Sequence, residues 1–368
     1  MRVLTIGGGI GGLTCAIALR GRGFSVELIE RDPGWSVYGV GIIQQSNVVR
    51  AMAALGVLED YLGAAFPFDH VDIHGPDGRH LARVPSPKLT ADYPANVGIG
   101  RPALHDVLGR RARAAGTHIR LGLTARRFEQ GASGVLVEFS DGTSGRFDLV
   151  VGADGLHSTT RSMIFADAPQ PEFTGQGVWR HNFPQPAEVA GLQVYEGAIG
   201  TGLVPLSKQV IYMYVVTAEP GNPRYGPAGL AAAMRGKLLG APPLIAQLSR
   251  QIVRDSDVVY RPLESLFLTG DWHQGRIVLL GDAVHASTPH LGQGAGMAIE
   301  DSLVLAEELA RSASPEQAFS AYRSRRFERC KYIVDRSRAI GDGQLGRIPR
   351  IDQAGATKEM FEMVSAPI

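Results

Sequence analysis

The chain has 368 residues, with 37 Lys+Arg against 36 Asp+Glu, 44% hydrophobic residues and two cysteines. This balance excludes intrinsic disorder and nucleic-acid binding by bulk charge, and Cys15 and Cys330 fit no metal or redox spacing. At about 150 residues per domain the length predicts two domains or three, while 46 glycines, well above the ~7% norm, require an explanation.

The N-terminus imitates a secretory signal, because an apolar run reaches Leu19 and Ala16-Ile17-Ala18 resembles a cleavage site. Glycines at Gly7, Gly8, Gly9, Gly11 and Gly12 interrupt that run, so the signal reading is rejected. No other stretch approaches the ~18 apolar residues of a spanning helix; a cytoplasmic enzyme with no stable membrane association is expected. Val3–Ile6 predicts a buried parallel strand, Leu13–Arg22 a helix closed by Gly23, and Ser25–Ile29 a second strand ending at Glu30. Together they form a βαβ unit. Arg101–Ala115 predicts a helix, followed by strands at His118–Leu121, Gly134–Phe139 and Phe147–Val151, with Asp141-Gly142 as a hairpin turn.

From Gly175 to Val216 the pattern becomes short strands separated by Gly and Pro: Gln176–Asn182, Gly191–Tyr195, Gly202–Leu206 and Gln209–Val216. This predicts an inserted antiparallel sheet. Helices are expected near Ala228–Leu239 and Pro243–Val253. The first domain resumes with a strand at Arg276–Leu280 and a helix over Gly292–Ala310. The fold class is therefore α/β: a Rossmann-like domain interrupted by an antiparallel sheet, with a helical C-terminal segment. The boundaries assign residues 1–70, 98–165 and 266–340 to a discontinuous cofactor domain. Residues 71–97 and 166–265 form the substrate domain, and 341–368 the C-terminal segment.

Three glycine turns carry chemistry. Gly7, Gly9 and Gly12 spell G-x-G-x-x-G between a strand and a helix, where backbone N–H groups and the helix N-terminus meet a pyrophosphate. Glu30 stands where an acid accepts ribose hydroxyls, favouring FAD or NAD over NADP. Asp154-Gly155 and Gly281-Asp282 each follow a strand, and Gly292-Gln293-Gly294-Ala295-Gly296 opens a helix able to bind an anion.

With these motifs in order, the chain resembles the class A, single-component flavoprotein monooxygenases, the para-hydroxybenzoate hydroxylase-like family, from Arg2 to about Arg338. It is most similar to the salicylate, 6-hydroxynicotinate and urate hydroxylase-like branch. The resemblance implies that Gly7, Gly9, Gly11, Gly12 and Glu30, with Arg31 beside them, hold the ADP of FAD. It implies cofactor contacts at Arg101 and Asp154, a ribityl contact at Gly281-Asp282, and a flavin-facing loop containing Pro289, Gly292, Gly294, Ala295 and Gly296. Ser46 replaces a prolyl residue usual in the family. The implied reaction consumes NADH or NADPH and O2 and hydroxylates a small aromatic or heteroaromatic substrate through a flavin C4a-hydroperoxide. No second nucleotide unit is found, so the reductant is expected to visit transiently.

By the same resemblance, Arg180 and Tyr212 align with substrate-contacting positions and are the candidate catalytic residues. They read equally well as a surface arginine and a half-buried strand tyrosine. His181 points to the opposite face of the strand from Arg180. Gly200 stands where some relatives carry a further arginine, which counts against urate. His285 and His290 define no metal site. Trp179-Arg180-His181-Asn182-Phe183-Pro184 partly echoes a flavin-dependent halogenase signature; halogenation, epoxidation and a non-catalytic FAD- or lipid-binding module are the alternatives. The expected assembly is a monomer or homodimer.

Overall fold

Strand β1 (Arg2–Ile6) runs at the centre of a six-stranded sheet, with Val3, Leu4, Thr5 and Ile6 buried. It pairs in parallel with β2 (Ser25–Glu30) on one side and Leu149–Gly152 on the other. His118–Leu121 and Ile277–Leu279 extend the sheet, and His273–Gln274 adds an antiparallel edge. The computed structural model describes residues 1–197 and 199–368. Helix α1 spans Ile10–Gly21, three residues earlier than its apolar pattern predicts, because Gly11 and Gly12 lie inside it. Glycine in a helix costs about 1 kcal/mol against alanine, and close packing offsets this cost. A Cβ on Gly12 would lie 1.8 Å from the Gly7 carbonyl oxygen.

The predicted strand over Phe147–Val151 proves to be two strands. Ser144–Phe147 completes the hairpin sheet with Gly134–Phe139 and Ala125–Gly131, and Leu149–Gly152 enters the main sheet. The break falls at Asp148, whose carboxylate accepts from the Arg2 amide at 2.6 Å. A strand-like run interrupted by a single charged residue therefore hides a change of sheet.

The second sheet has seven strands, in the order Val259–Ser265, Glu172–Pro184, Val210–Ala218, Gly200–Pro205, Leu192–Tyr195, His70–His74 and His80–Pro85. All neighbours are antiparallel except His70–His74 with Leu192–Tyr195. Alternation gives its two faces different work. Trp179, Phe183, Leu203, Met213 and Val215 pack with Met234, Ile245 and Leu248 in a core of their own, below helices at Leu230–Lys237 and Pro243–Ser249. Glu219 knots that side: its carboxylate accepts from Thr217 Oγ1 at 2.6 Å, Tyr225 Oη at 2.8 Å, Trp179 Nε1 at 3.2 Å and Lys237 Nζ at 2.8 Å. Glu219→Ala strands these buried donors and is expected to lower stability by about 2–3 kcal/mol, at the level of charge-assisted hydrogen bonds. Urea denaturation measures the loss, and Glu219→Gln should recover part of it.

A three-stranded sheet, Gly41–Gln45, Asn96–Gly100 and Phe66–Phe68, adjoins the other face. Glycine permits the approach: a Cβ on Gly98 would lie 2.0 Å from the Pro205 carbonyl oxygen. The chain finishes in two helices, Pro315–Gln344 and Gln353–Ser365. Arg50, Arg325 and Arg329 donate to main-chain carbonyls between Val364 and Ile368, fastening the last residues. Among the described residues no helix is long and apolar enough to cross a membrane.

Candidate active site

The site begins at the turn after β1. Gly7 has φ +106°, and a Cβ there would lie 2.4 Å from the Ala153 carbonyl oxygen, so only glycine suits it. Around Gly9 nothing lies within 4 Å of a built Cβ. The space over this turn is open. Leu13 N donates to Gly9 O at 2.9 Å, and no side chain caps α1. The N–H groups of Ile10, Gly11 and Gly12 thus stay free for an external acceptor. Glu30 closes the turn, with Oε2 accepting from Gly8 N at 2.7 Å and Oε1 from Asp32 N at 2.8 Å. Each oxygen keeps a lone pair for a further donor. Arg31 is exposed beside it.

The other two turns adjoin. Gly281, at φ +64°, presents its amide to Asp301 Oδ2 at 3.1 Å. Asp282 keeps its side chain open to solvent although protein surrounds it. Burial pushes its carboxyl above the ordinary range, and His285 and Arg101 pull it back. Asp154 turns inward: it accepts from Ser158 Oγ, from Thr160 N at 2.9 Å and from Thr160 Oγ1 at 2.9 Å. Its carboxylate fastens the turn into the Thr159–Ile164 helix. Buried Arg161 then joins the two turns, donating to Leu156 O at 2.9 Å and Ala283 O at 2.9 Å.

Pro289 opens a short 3-10 turn and Gly292 follows at φ +67°. The helix Gly294–Arg311 starts uncapped, and its first bond runs from Met297 N to Gln293 O at 2.8 Å. The amides of Gly294, Ala295 and Gly296 are therefore a second free set. This helix packs along α1, where a Cβ on Gly11 would meet Ala298 at 3.4 Å and Thr14 Oγ1 lies 2.8 Å from Ser302 Oγ. His290 sits beside the loop, bonded to Thr288 and Gln344. Burial lowers its pKa to about 4, so its imidazole is neutral at pH 7.

The open face of the second sheet supplies the remaining side chains. Arg180 pairs with Tyr214 and Asn182 with Tyr212 across adjacent strands, so these four share a face. His181 lies buried on the other face, 4.5 Å from the Phe183 ring. Trp179 lies there too, spent on Thr217 and Glu219, which takes the halogenase-like tryptophan out of the cleft. Val40, Val204, Leu206 and Tyr212 form an apolar patch. Above it, burial lowers the Arg101 pKa, the Arg180 charge lowers it further, and Tyr212, Asp282 and Tyr38 act in the opposite sense. Neither arginine has a carboxylate salt-bridge partner among the described residues, and Arg180 Nε is buried without a hydrogen-bond partner. The fold thus brings Arg101, Arg180, Tyr212 and Asp282 into one neighbourhood.

A family model described as an FAD binding domain matches residues 1–337. The chain belongs to the FAD-binding-domain family. Within it, the chain is 32% identical to aurachin C monooxygenase/isomerase of Stigmatella aurantiaca over 374 residues, covering 100% of this chain and 95% of that protein. It is 30% identical to 2-heptyl-3-hydroxy-4(1H)-quinolone synthase of Pseudomonas aeruginosa strain PAO1, covering 93% and 89%. Klebsiella pneumoniae HpxO complexed with FAD and uric acid superposes with a TM-score of 0.84 at 25% identity, covering 99% of this chain and 92% of that one. The chain is an FAD-dependent monooxygenase, with NAD(P)H and O2 as the co-substrates of its class. Its residues fit the cofactor on their own evidence. Two uncapped helix N-termini, an open cradle at Gly9, and the uncompensated Arg101 are what a dinucleotide carrying a pyrophosphate requires.

Residues missed in the sequence hold these turns together: Trp35, His105, Asp301 and Arg326. They lie in loops and helix interiors without a spacing that announces a site. His285, Asp301 and Cys330 sit close enough to suit a metal ion, but the Arg326 guanidinium donates to Asp301 at 2.8 Å and supplies the positive charge there.

Proposed function

We propose that this enzyme hydroxylates a small aromatic or heteroaromatic acid, using NADH or NADPH and O2, and that Arg180 and Tyr212 hold the substrate. The uncompensated pair Arg101 and Arg180, above an apolar patch, carries the reading. Two half-buried guanidinium groups with no salt-bridge partner among the described residues favour two anions. One is the pyrophosphate-bearing cofactor, which we assign to Arg101. The other is an ionised substrate group at Arg180, where a guanidinium forms charge-assisted bonds. The quinolone named for the Pseudomonas relative is a fused heteroaromatic in keeping with the apolar lining.

Residues 1–70, 98–165 and 266–340 are proposed to form the FAD domain, and 71–97 with 166–265 the substrate domain. When bound, FAD supplies the redox chemistry, taking electrons from NAD(P)H and activating O2. Gly7, Gly9, Gly11, Gly12, Glu30 and Arg31 would hold its ADP half, and Gly281-Asp282 its ribityl chain. The free amides of Gly294, Ala295 and Gly296 favour negative charge near them by roughly 0.3–2 kcal/mol. Pro289 and Gly292 set the loop that aims those amides. Tyr212 would hydrogen-bond a ring hydroxyl of the substrate or take its proton, while the apolar patch excludes water.

Aromatic carboxylates and phenolates should stimulate NAD(P)H oxidation by the yellow protein, with one atom of O2 appearing in product. Arg180→Ala is expected to raise KM for an acidic substrate by tenfold or more, from the loss of charge-assisted bonds, with flavin content unchanged. Steady-state kinetics with equal KM values for the two proteins would remove Arg180 from the site.

A further inference from the structure

Behind the first glycine turn stands a residue with a strained backbone and no part in the mechanism above. Trp35 adopts φ +46°, one of two non-glycine residues in the described structure with positive φ. Such a conformation persists only where its surroundings enforce it. Here Asp32 enforces it, accepting from Gly34 N at 2.9 Å and Ser36 N at 2.8 Å. The result delivers the indole to one atom. Trp35 Nε1 donates to the Gly8 carbonyl oxygen at 2.9 Å.

His105, on the helix Arg101–Ala114, reaches the same oxygen with Nε2 at 3.0 Å. A carbonyl can only accept, so Nε2 carries the proton. The two donor rings lie edge to face at 4.7 Å, and the Arg113 guanidinium covers Trp35 at 4.8 Å. No side chain fits between them and the turn: a Cβ on Gly8 would lie 2.4 Å from the indole nitrogen. Two side chains from separate elements thus converge on one main-chain acceptor.

The consequence follows from peptide geometry. A trans peptide is planar, with C=O and N–H pointing in opposite directions. Fixing the Gly8 carbonyl toward Trp35 and His105 therefore aims the Gly9 N–H the other way. That amide has no hydrogen-bond partner among the described residues, and the space beside Gly9 is open. It joins the free amides at the start of α1.

We infer that Trp35 and His105 are positioning residues for the dinucleotide, acting through the Gly8–Gly9 peptide to aim an N–H at the cofactor's pyrophosphate. This rests on the FAD reading of the site. Without the two donors the peptide can rotate, and the N–H must be reoriented each time the cofactor binds, which weakens binding.

The test is FAD titration of apoprotein prepared from the purified holoenzyme, followed by quenching of flavin fluorescence, beside thermal melting of each apoprotein. Trp35→Phe keeps the ring and removes the donor, and His105→Leu removes the other. Each is expected to raise the Kd for FAD by about three- to tenfold, the effect of one hydrogen bond, and the double variant by more than either. His105→Gln restores an N–H and should return the Kd close to the parent value. Melting temperatures that stay level while Kd rises separate positioning from general stability. Single variants within twofold of the parent Kd, or His105→Gln as weak as His105→Leu, would overturn the inference while leaving the FAD reading intact. Parent apoprotein that takes up no FAD would overturn the reading itself. Should the double variant fail to fold, the single variants and the His105→Gln rescue decide.

Discussion

Arg326→Ala is expected to lower stability by about 3–5 kcal/mol, the effect of removing one partner from a buried ion cluster. Arg326 is fully buried. Its Nε donates to Asp301 Oδ1 at 2.8 Å and its Nη1 to Glu300 Oε2 at 2.7 Å. Without it, two buried carboxylates lose a shared cation. His285, 2.6 Å from Asp301 Oδ2, and Arg329, 3.2 Å from Glu300, remain. The damage should reach the cofactor, because Asp301 also holds the Gly281 amide and Glu300 accepts from Asn47 Nδ2 at 3.0 Å. Asn47 in turn donates to Gln293, just before the helix Gly294–Arg311.

Denaturant unfolding and retained flavin absorbance would both fall. An unchanged midpoint would show that the cluster is dispensable. The same cluster sets an acid response. Burial raises the Asp301 pKa, but His285 and Arg326 outweigh it and hold the group down at about 2. A depressed carboxylate contributes its stability above the unfolded pKa, near 4, and loses it as pH falls toward the folded value. The parent protein should therefore lose this contribution between about pH 4 and pH 2, read as the pH dependence of the unfolding midpoint.

Gly12→Ala should abolish FAD binding, or weaken it at least a hundredfold, and lower stability as well. The added methyl would stand 1.8 Å from Gly7 O and 3.0 Å from Gly7 C. Both contacts are backbone, so the helix must withdraw from the turn, and overpacking of this kind costs about 1–3 kcal/mol or more. Gly9→Ala is the informative contrast. Its methyl meets nothing within 4 Å, so the apoprotein should melt near the parent temperature while FAD affinity drops. One glycine holds the architecture and the other keeps room for the ligand. Equal melting losses in both variants, measured by calorimetry of apoprotein, would refute that division.

How much of this was legible in the sequence depends on the range over which each residue acts. The βαβ unit, the glycine turns and the antiparallel character of the inserted sheet were readable because strand, turn and helix preferences are local. Arg180 and His181 were correctly placed on opposite faces by alternation alone. The division at Asp148 was not readable, since apolar residues on both sides suit a strand equally well and only the Arg2 amide marks the break. Nor was the Asn96–Gly100 sheet, whose partners Phe66–Phe68 and Gly41–Gln45 lie well back along the chain. Asp154 is legible through its motif, and its hydrogen bonds to Ser158 and Thr160 depend on the helix that follows. Trp35, His105, Asp301 and Arg326 act across long sequence separations, through distances that no spacing rule encodes.

The two faces of the seven-stranded sheet have a consequence for the history of such enzymes. Alternate residues along one strand serve different ends: Trp179 and His181 are buried on one face, while Arg180 and Asn182 share the other with Tyr214 and Tyr212. On the reading proposed above, substitution at every second position alters which molecule is accepted while sparing the core around Trp179. A lineage built on this sheet can change its diet through a handful of codons on that face, and a library confined to Arg180, Leu192, Val204, Tyr212, Tyr214 and Val259 would sample that freedom directly.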